Sequence, residues 1–444
     1  MALTSFNVND IIAKALHEPE TYDNRITRAQ LHLSDQWKVL GRTLNDSIPE
    51  YDDGFPDIPL MMRGGGEYDG NVVIHVAWNN RGTFRCPKCG HRCSEILSYE
   101  TRYYRHLDDM NHRCFIHVEL PKYKCGCGSD PQHRFPMVEP RLRYTREFSM
   151  EVVRRLKDGT RSAVAKGLDI SRDIVSGILR RVIHRGIMAQ DLSHVTGVYV
   201  DETQFGHGQD YISVFLDQNH KVIYVCEGHG KDVLGMFRTH LIIQGGDPEN
   251  IRFFSADMSR AYEAGVLEMF PNATLVWDRF HLMKAVNEAL NDIRKGVVRK
   301  DGDTPLRLIK YTLLHRRSVM SRKHVERLRA IRMSSPELAL AFDMKETFAE
   351  IIKVQDPTAM ERALRIWAEW VMSDGPKEFR KKAEMFLGKI DRIVAWTRFP
   401  VSNSVCEGIN KNIQDIRRSA CGYRNHDNFY DMIFLRMGDL QLTF

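Results

Sequence analysis

No stretch of this 444-residue chain approaches the roughly 18 consecutive apolar residues that a membrane-spanning helix requires. The opening "MALTSFNVNDIIAKALHEPE" lacks a basic start followed by an apolar core, so a secretory signal is not expected and the cytoplasm is. There is no internal repeat and no low-complexity tract. The triple glycine Gly64 to Gly66 lacks the strand and helix that would make it a phosphate loop. A disulfide framework is also not expected, because nine cysteines in a chain read as cytoplasmic argue for metal or buried thiols. What remains is 43% hydrophobic and 27% charged, an ordinary globular composition with room for two or three domains.

The cysteines are unevenly placed: only Cys226, Cys406 and Cys421 lie outside residues 86–127. The cluster starts "CPKCGHRC" and ends "YKCGCG". Cys86 and Cys89 form a C-x-x-C knuckle with Gly90 behind it, and Cys125 and Cys127 return after a strand-like "RCFIHVELPKYK". Two pairs of thiolates suit a tetrahedral structural Zn²⁺. The C-x-C half is tight and needs Gly126 and Gly128 to relieve the backbone, which leaves Cys93 or His133 open as a substitute fourth ligand. Cys114, inside the strand-like run, reads as a buried thiol.

Charge is uneven too. The net charge is only +6, yet Arg141 to Gln190 holds twelve Lys/Arg against five Asp/Glu, a local 12 − 5 = +7. In "YTREFSMEVVRRLKDGTRSAVAKGLDISRDIVSGILRRVIHRG", Phe148, Val152, Val153 and Leu156 have helical spacing and "KDG" stops that helix. A short helix over residues 162–167, a turn with Ser171 as N-cap and a helix over residues 172–184 follow. This is a helix-turn-helix pattern with a basic last helix. Arg172, Arg180, Arg181 and Arg185 are its candidates for phosphate or base contacts.

Beyond residue 195 the rhythm changes. "VTGVYVDET" is an apolar strand ending on Asp201 and Glu202, and "DYISVFLD" and "KVIYVCEG" pair through "QNH" as a hairpin. "KDVLGMFRTHLIIQG" is helical, "IRFFSADMSRAY" is a strand feeding a helix, and "PNATLVWDRFH" is another. Strand, strand, strand, helix, strand, helix, strand is the element order of an RNase H-like fold, whose first and fourth strands are neighbours. That adjacency brings Asp201 and Asp257 together. Close carboxylates repel and desolvate one another unless a cation neutralises them, and hard oxygen donors suit Mg²⁺ or Mn²⁺. Glu202 points to the opposite face if its strand continues. Asp278 and His281, at the exit of the next strand, read equally as site lining or as a cap and a hydrogen-bonded imidazole. Glu407 reads as a carboxylate in the first turn of a helix. Asn410, one turn on, is placed to orient that carboxylate or touch substrate.

"VYVDET", "FFSADMSRAY", "FPNATLVWDRFH" and "SNSVCEGINKNIQDIRRSACGYRN" together resemble the ISL3 family of bacterial insertion-sequence transposases, over roughly residues 85 to 440. The resemblance implies a DDE transposase whose acids fall on Asp201, Asp257 and Glu407, binding two Mg²⁺ or Mn²⁺ ions. It also accounts for the 407 − 257 = 150 residues between the last two acids as an all-α insertion. The implied partners are double-stranded DNA, as element terminal inverted repeats and target, and a second copy of the chain in a homodimer on that DNA. The implied location is the cytoplasm, on the nucleoid when DNA-bound.

The expected architecture is a multidomain α+β/α/β chain. Residues 1–80 are unassigned, 81–140 form the zinc-binding module and 141–190 the helix-turn-helix. Residues 195–284 form the first part of the RNase H-like core, 285–396 the all-α insertion and 397–444 the helix bearing the catalytic Glu. The expected function is metal-dependent phosphodiester hydrolysis and strand transfer. The alternatives are a domesticated zinc-finger/helix-turn-helix DNA-binding protein and a simple RNase H-like nuclease.

Overall fold

The computed structural model describes residues 31, 33, 37–45, 70–78, 84–205, 211–301, 309–400 and 403–444. The chain divides into two compact units, Met1–Arg185 with Leu442–Phe444, and Gly186–Gln441.

In the first unit, strands β1 (Trp37–Asn45), β2 (Gly70–Trp78), β3 (Phe84–Arg85), β4 (Arg92–Cys93), β5 (Ile96–Asp109) and β6 (His112–Tyr123) form two sheets. The larger has the order β1-β2-β6-β5, and β3 and β4 make a small hairpin. Ile116, Val118 and Leu120 are buried at every second position of β6, the period a strand needs to face a core. Trp37, Ile74 and Phe135 pack on the same core. Thus β1 and β2, from the segment that sequence left unassigned, complete the sheet on which the hairpin's own chain returns.

Three helices follow: α1 (Arg146–Leu156), α2 (Arg161–Leu168) and α3 (Arg172–Met188). Each begins at a hydroxyl cap: Thr145 accepts from the Phe148 amide, Thr160 from Ala163 and Ser171 from Ile174. Asp169 ends α2 in the left-handed region at φ 52°. Phe148, Val152, Leu156, Leu168, Val175 and Leu179 are buried. The last helix runs one turn beyond the expected residue 184, because Ile183 is buried and the single Gly186 in "HRGIM" costs only about 1 kcal/mol in a helix.

The second unit holds β7 (Gly197–Gln204), β8 (Tyr211–Asp217), β9 (Val222–Glu227), α4 (Lys231–Ile243), β10 (Phe253–Ala256), α5 (Arg260–Met269) and β11 (Thr274–Trp277). Its sheet has the order β11-β10-β7-β8-β9. The β7-β8-β9 part is antiparallel, and β10 runs parallel to both β7 and β11. The first and fourth strands of this region are therefore neighbours, as their element order suggested. Gly197 makes that pairing possible: a Cβ there would lie 2.0 Å from the Phe253 ring. The strand read as ending on Asp201 and Glu202 instead continues to Gln204, because β8 keeps pairing with it through Gln204↔Tyr211.

From here the described residues are helical: α6 (Arg279–Asp301), α7 (Lys310–Leu314), α8 (Arg322–Ser334), α9 (Pro336–Ile351), α10 (Pro357–Asp374), α11 (Lys377–Leu387), α12 (Ile390–Val394), α13 (Asn403–Ser419) and α14 (His426–Met437), with short 3-10 turns. Phe342, Phe348, Trp367, Phe379 and Phe386 form the aromatic interior of α9 to α11. Glu407 is the fifth residue of α13, not part of its first turn. The helix already includes Asn403 and Ser404, which moves its first turn ahead of Glu407.

Candidate functional site

The four expected cysteines of the zinc site meet. The Sγ atoms of Cys86, Cys89, Cys125 and Cys127 all lie within 4.8 Å of one another. Individual separations are 3.8 Å for Cys86–Cys127 and 3.4 Å for Cys89–Cys125 and Cys127–Cys125. A tetrahedron of about 2.3 Å Zn–S bonds has S···S edges of about 3.8 Å, so the cage fits the ion. Both knuckles close on a left-handed glycine: the Gly90 amide donates to the Cys86 carbonyl and the Gly128 amide to the Cys125 carbonyl, with φ of 74° and 77°. Gly126 needs no such φ, and the tight C-x-C turn is accommodated by Gly128.

The candidate substitute ligands are elsewhere. Cys93 is buried in the small core beneath the cage, and His133 packs its ring on Trp78 and Phe84. Ser129, which the sequence reading passed over, places its hydroxyl 3.3 Å from Cys86 Sγ and 3.0 Å from Cys127 Sγ. That hydroxyl, with the Cys89 and Lys88 amides, takes the Cys86 thiol down to about 6, and it lowers that of Cys127, while Cys89 and Cys125 are raised within the same cluster of sulfurs. Thiolates favoured in this way are the ligand form. Cys114 is a buried thiol, pushed up to about 12 by desolvation, and Cys226 behaves likewise.

In the second unit, Asp201 lies within β7 and is half-buried. Its Oδ1 accepts from the Glu202 amide at 2.8 Å and its Oδ2 from the Asn410 side-chain amide. Desolvation raises the Asp201 pKa; the Glu202 N–H, His281 and Asn410 oppose that rise and Asp278 adds to it. Asn410 thus reaches Asp201, across 209 residues of sequence. It belongs to a face of α13 laid on β7: Gln414 donates to Thr203, and Arg417 donates to the Gln204 carbonyl at 2.9 Å. Positions 410, 414 and 417 follow helical spacing, a signal present in the sequence. Ile409, Ile413 and Ile416, one position earlier in each case, bury the adjoining stripe.

Asp257 follows β10 directly. The parallel register pairs Phe254 with Val198 and Ser255 with Tyr199, so Asp257 and Asp201 each lie two residues beyond the last pair. The cap of α5 is Ser259, whose hydroxyl accepts from the Ala261 amide. Asp257 uses Oδ1 to accept from the Ser259 amide at 2.9 Å. Its charge is felt by Glu202, whose carboxyl is pushed up by burial, held back by the Tyr262 hydroxyl and pushed further by Asp257. Asp278 accepts from the Phe280 amide at 2.8 Å at the start of α6, a cap, while also acting on Asp201. Among the described residues, no three carboxylate or histidine groups of this region close to a single ligand cage. The side chain of Glu407 lies outside the described residues.

The basic helix presents Arg172, Arg180 and Arg181 as exposed side chains. Arg185 is already engaged, its two terminal nitrogens 2.6 Å from the two carboxylate oxygens of Glu139.

A family model described as "Transposase" matches residues 198–433 of this chain. A second, described as the zinc-finger of transposase IS204/IS1001/IS1096/IS1165, matches residues 82–128. The transposase for insertion sequence element IS1001 of Bordetella parapertussis is 24% identical over 353 residues, covering 78% of this chain and 86% of that protein.

Proposed function

Since the chain belongs to the ISL3 family of insertion-sequence transposases, which cleave DNA and transfer strands, we propose that Asp201, Asp257 and Glu407 are its catalytic acids. The observation that carries this reading is the hydrogen bond from Asn410 to Asp201. It docks α13 against the strand that bears the first acid, and Glu407 occupies the position one turn before Asn410. The β7–β10 register supports Asp257 as the second acid. The sheet order supports an RNase H-like core, with the helices from α6 to α12 as an insertion within it.

The donor set suits divalent metal. A half-buried carboxylate whose ionised form is disfavoured by desolvation and by Asp278 gains from a neighbouring cation. The chemistry that Mg²⁺ or Mn²⁺ supplies in such a site is activation of a water or 3′-hydroxyl and stabilisation of the leaving oxygen at phosphorus. The protein's part is placement. The Glu202 amide and Asn410 hold both oxygens of Asp201, and the Ser259 amide holds one oxygen of Asp257, so the protein itself orients the carboxylates that would hold the ions. Asp278 and His281 line the acid's surroundings.

The cysteine cage and the zinc-finger match support a structural zinc. We assign end recognition to α2 and α3 as a helix-turn-helix, with Arg172 near base edges and Arg180 and Arg181 on phosphates. Cleavage at both ends of an element calls for two copies of the chain on the DNA.

Purified protein with Mg²⁺ and labelled element-end DNA tests the proposal. Site-specific nicking and strand joining, lost in Asp201→Asn, Asp257→Asn and Glu407→Gln with DNA binding retained, is the expected result. An Asp257→Asn variant that still cleaves at near wild-type rate would overturn the assignment. Binding without cleavage would favour a domesticated binder, and cleavage without end preference a simple nuclease.

A further inference from the structure

The segment between the zinc cage and α1 is a strap tied to the sheet at both ends. At its start, the Tyr123 amide donates to the Pro131 carbonyl and the His133 amide to the Pro121 carbonyl, which ties it along β6. At its end, the Arg105 amide donates to the Arg143 carbonyl and the Thr145 amide to the Arg105 carbonyl, which ties it along β5. Between these ties Phe135, Met137 and Val138 are driven into the sheet's core. Alternation with these apolar anchors leaves Arg134 and Arg141 exposed, Arg141 at a left-handed φ of 69°.

The strap and the sheet enclose an open groove of about 570 Å³, lined by Arg102, Arg134, Arg141 and Arg143 together with Pro87 of the first cysteine knuckle. Glu139 is the one acidic residue in that lining, and its two oxygens are held by Arg185. Four arginines therefore line a concave surface whose Glu139 is held by Arg185, with Arg102 also paired to Glu100. Such a surface has the charge and the planar donors that phosphodiester oxygens require.

We propose that this groove is a second DNA-backbone clamp, binding phosphates of the element end independently of the basic helix. The inference rests on the transposase reading above for its choice of polyanion. It gives Arg185 a role the sequence did not suggest, as the counter-ion that removes Glu139 from the groove. Arg134, Arg141 and Arg143 hold the duplex by its backbone, so their contribution is independent of base sequence.

The test uses the full-length, zinc-loaded protein, without Mg²⁺, titrated with a duplex of the element end and with an unrelated duplex at several salt concentrations. The combined variant Arg134→Ala, Arg141→Asn, Arg143→Ala uses Asn where the backbone is left-handed. It is expected to bind both duplexes more weakly and to lose about three units of the salt slope, one per phosphate contact. Should that variant misfold, Arg134→Glu alone, at an exposed position, is expected to lower affinity for both duplexes and to flatten the slope. Unchanged affinity and slope in the folded variants, beside wild-type protein that binds both duplexes, would overturn the clamp and leave the transposase reading intact. Wild-type protein that binds neither duplex would overturn both.

Discussion

The hairpin that carries Cys86 and Cys89 should not fold without its metal. Residues 84–95 number twelve, and ordering them costs about 1.5 kcal/mol each, roughly 18 kcal/mol in all. Apart from the ligands themselves, the core beneath the cage consists of Cys93 and Tyr123, with Phe84 and Ile96 packed against it. Burying these side chains, two of them only partly and two of them outside the hairpin, stabilises by at most about 2 kcal/mol each, roughly 8 kcal/mol. The deficit of about 10 kcal/mol matches the low end of the apparent binding energy of structural zinc, roughly 10–16 kcal/mol. Chelation, or Cys86→Ser, is therefore expected to unfold the hairpin. The neighbouring four-stranded sheet, with its own core around Trp37, Ile74 and Ile116, should stay folded. Hydrogen exchange reads this directly through the Cys86 and Gly90 amides, which donate within the knuckle, against those of β6. Continued protection of the knuckle amides after complete zinc removal would refute the reasoning.

Burial raises the Asp201 pKa, so the penalty on its ionised form is absent below the unfolded value near 3.8, grows as pH rises through the folded value, and is complete above it. Asp201→Asn should accordingly raise the melting temperature at pH 7 without divalent ions, with no gain at pH 3; equal gains at both pH values would count against it. Asn410→Ala removes a hydrogen bond to a charged acceptor, worth roughly 1.5–3 kcal/mol, and should slow single-turnover cleavage about 10- to 150-fold with DNA affinity unchanged. Arg181→Ala should weaken binding to specific and unrelated duplexes alike and lower the salt slope by about one unit, measured by anisotropy titration. Arg185→Ala should do more than remove one charge, because it also leaves Glu139 unpaired beside the arginine groove.

Local pattern carried much of this protein. The alternation of Ile116, Val118 and Leu120, the caps Thr145, Thr160 and Ser171, and the glycines behind each cysteine knuckle are short-range requirements of backbone geometry, so the sequence alone determines them. The strand and helix order from Gly197 to Trp277 was legible for the same reason, and with it the adjacency of the strands that bear Asp201 and Asp257. Beyond the cysteine cage and that strand adjacency, long-range side-chain partnerships were not legible. Asn410 meets Asp201 because α13 lies on β7, and Arg185 meets Glu139 because the strap folds back toward α3. Neither residue type announces such a partner, since an amide and a guanidinium suit many. The same holds for β1 and β2, whose strand character is local but whose place beside β6 is set by a core shared with Phe135. Sequence determined the elements and the kinds of chemistry available, while the tertiary structure decided which side chains share one site, because hydrogen bonds and ion pairs depend on distances that chain separation does not constrain.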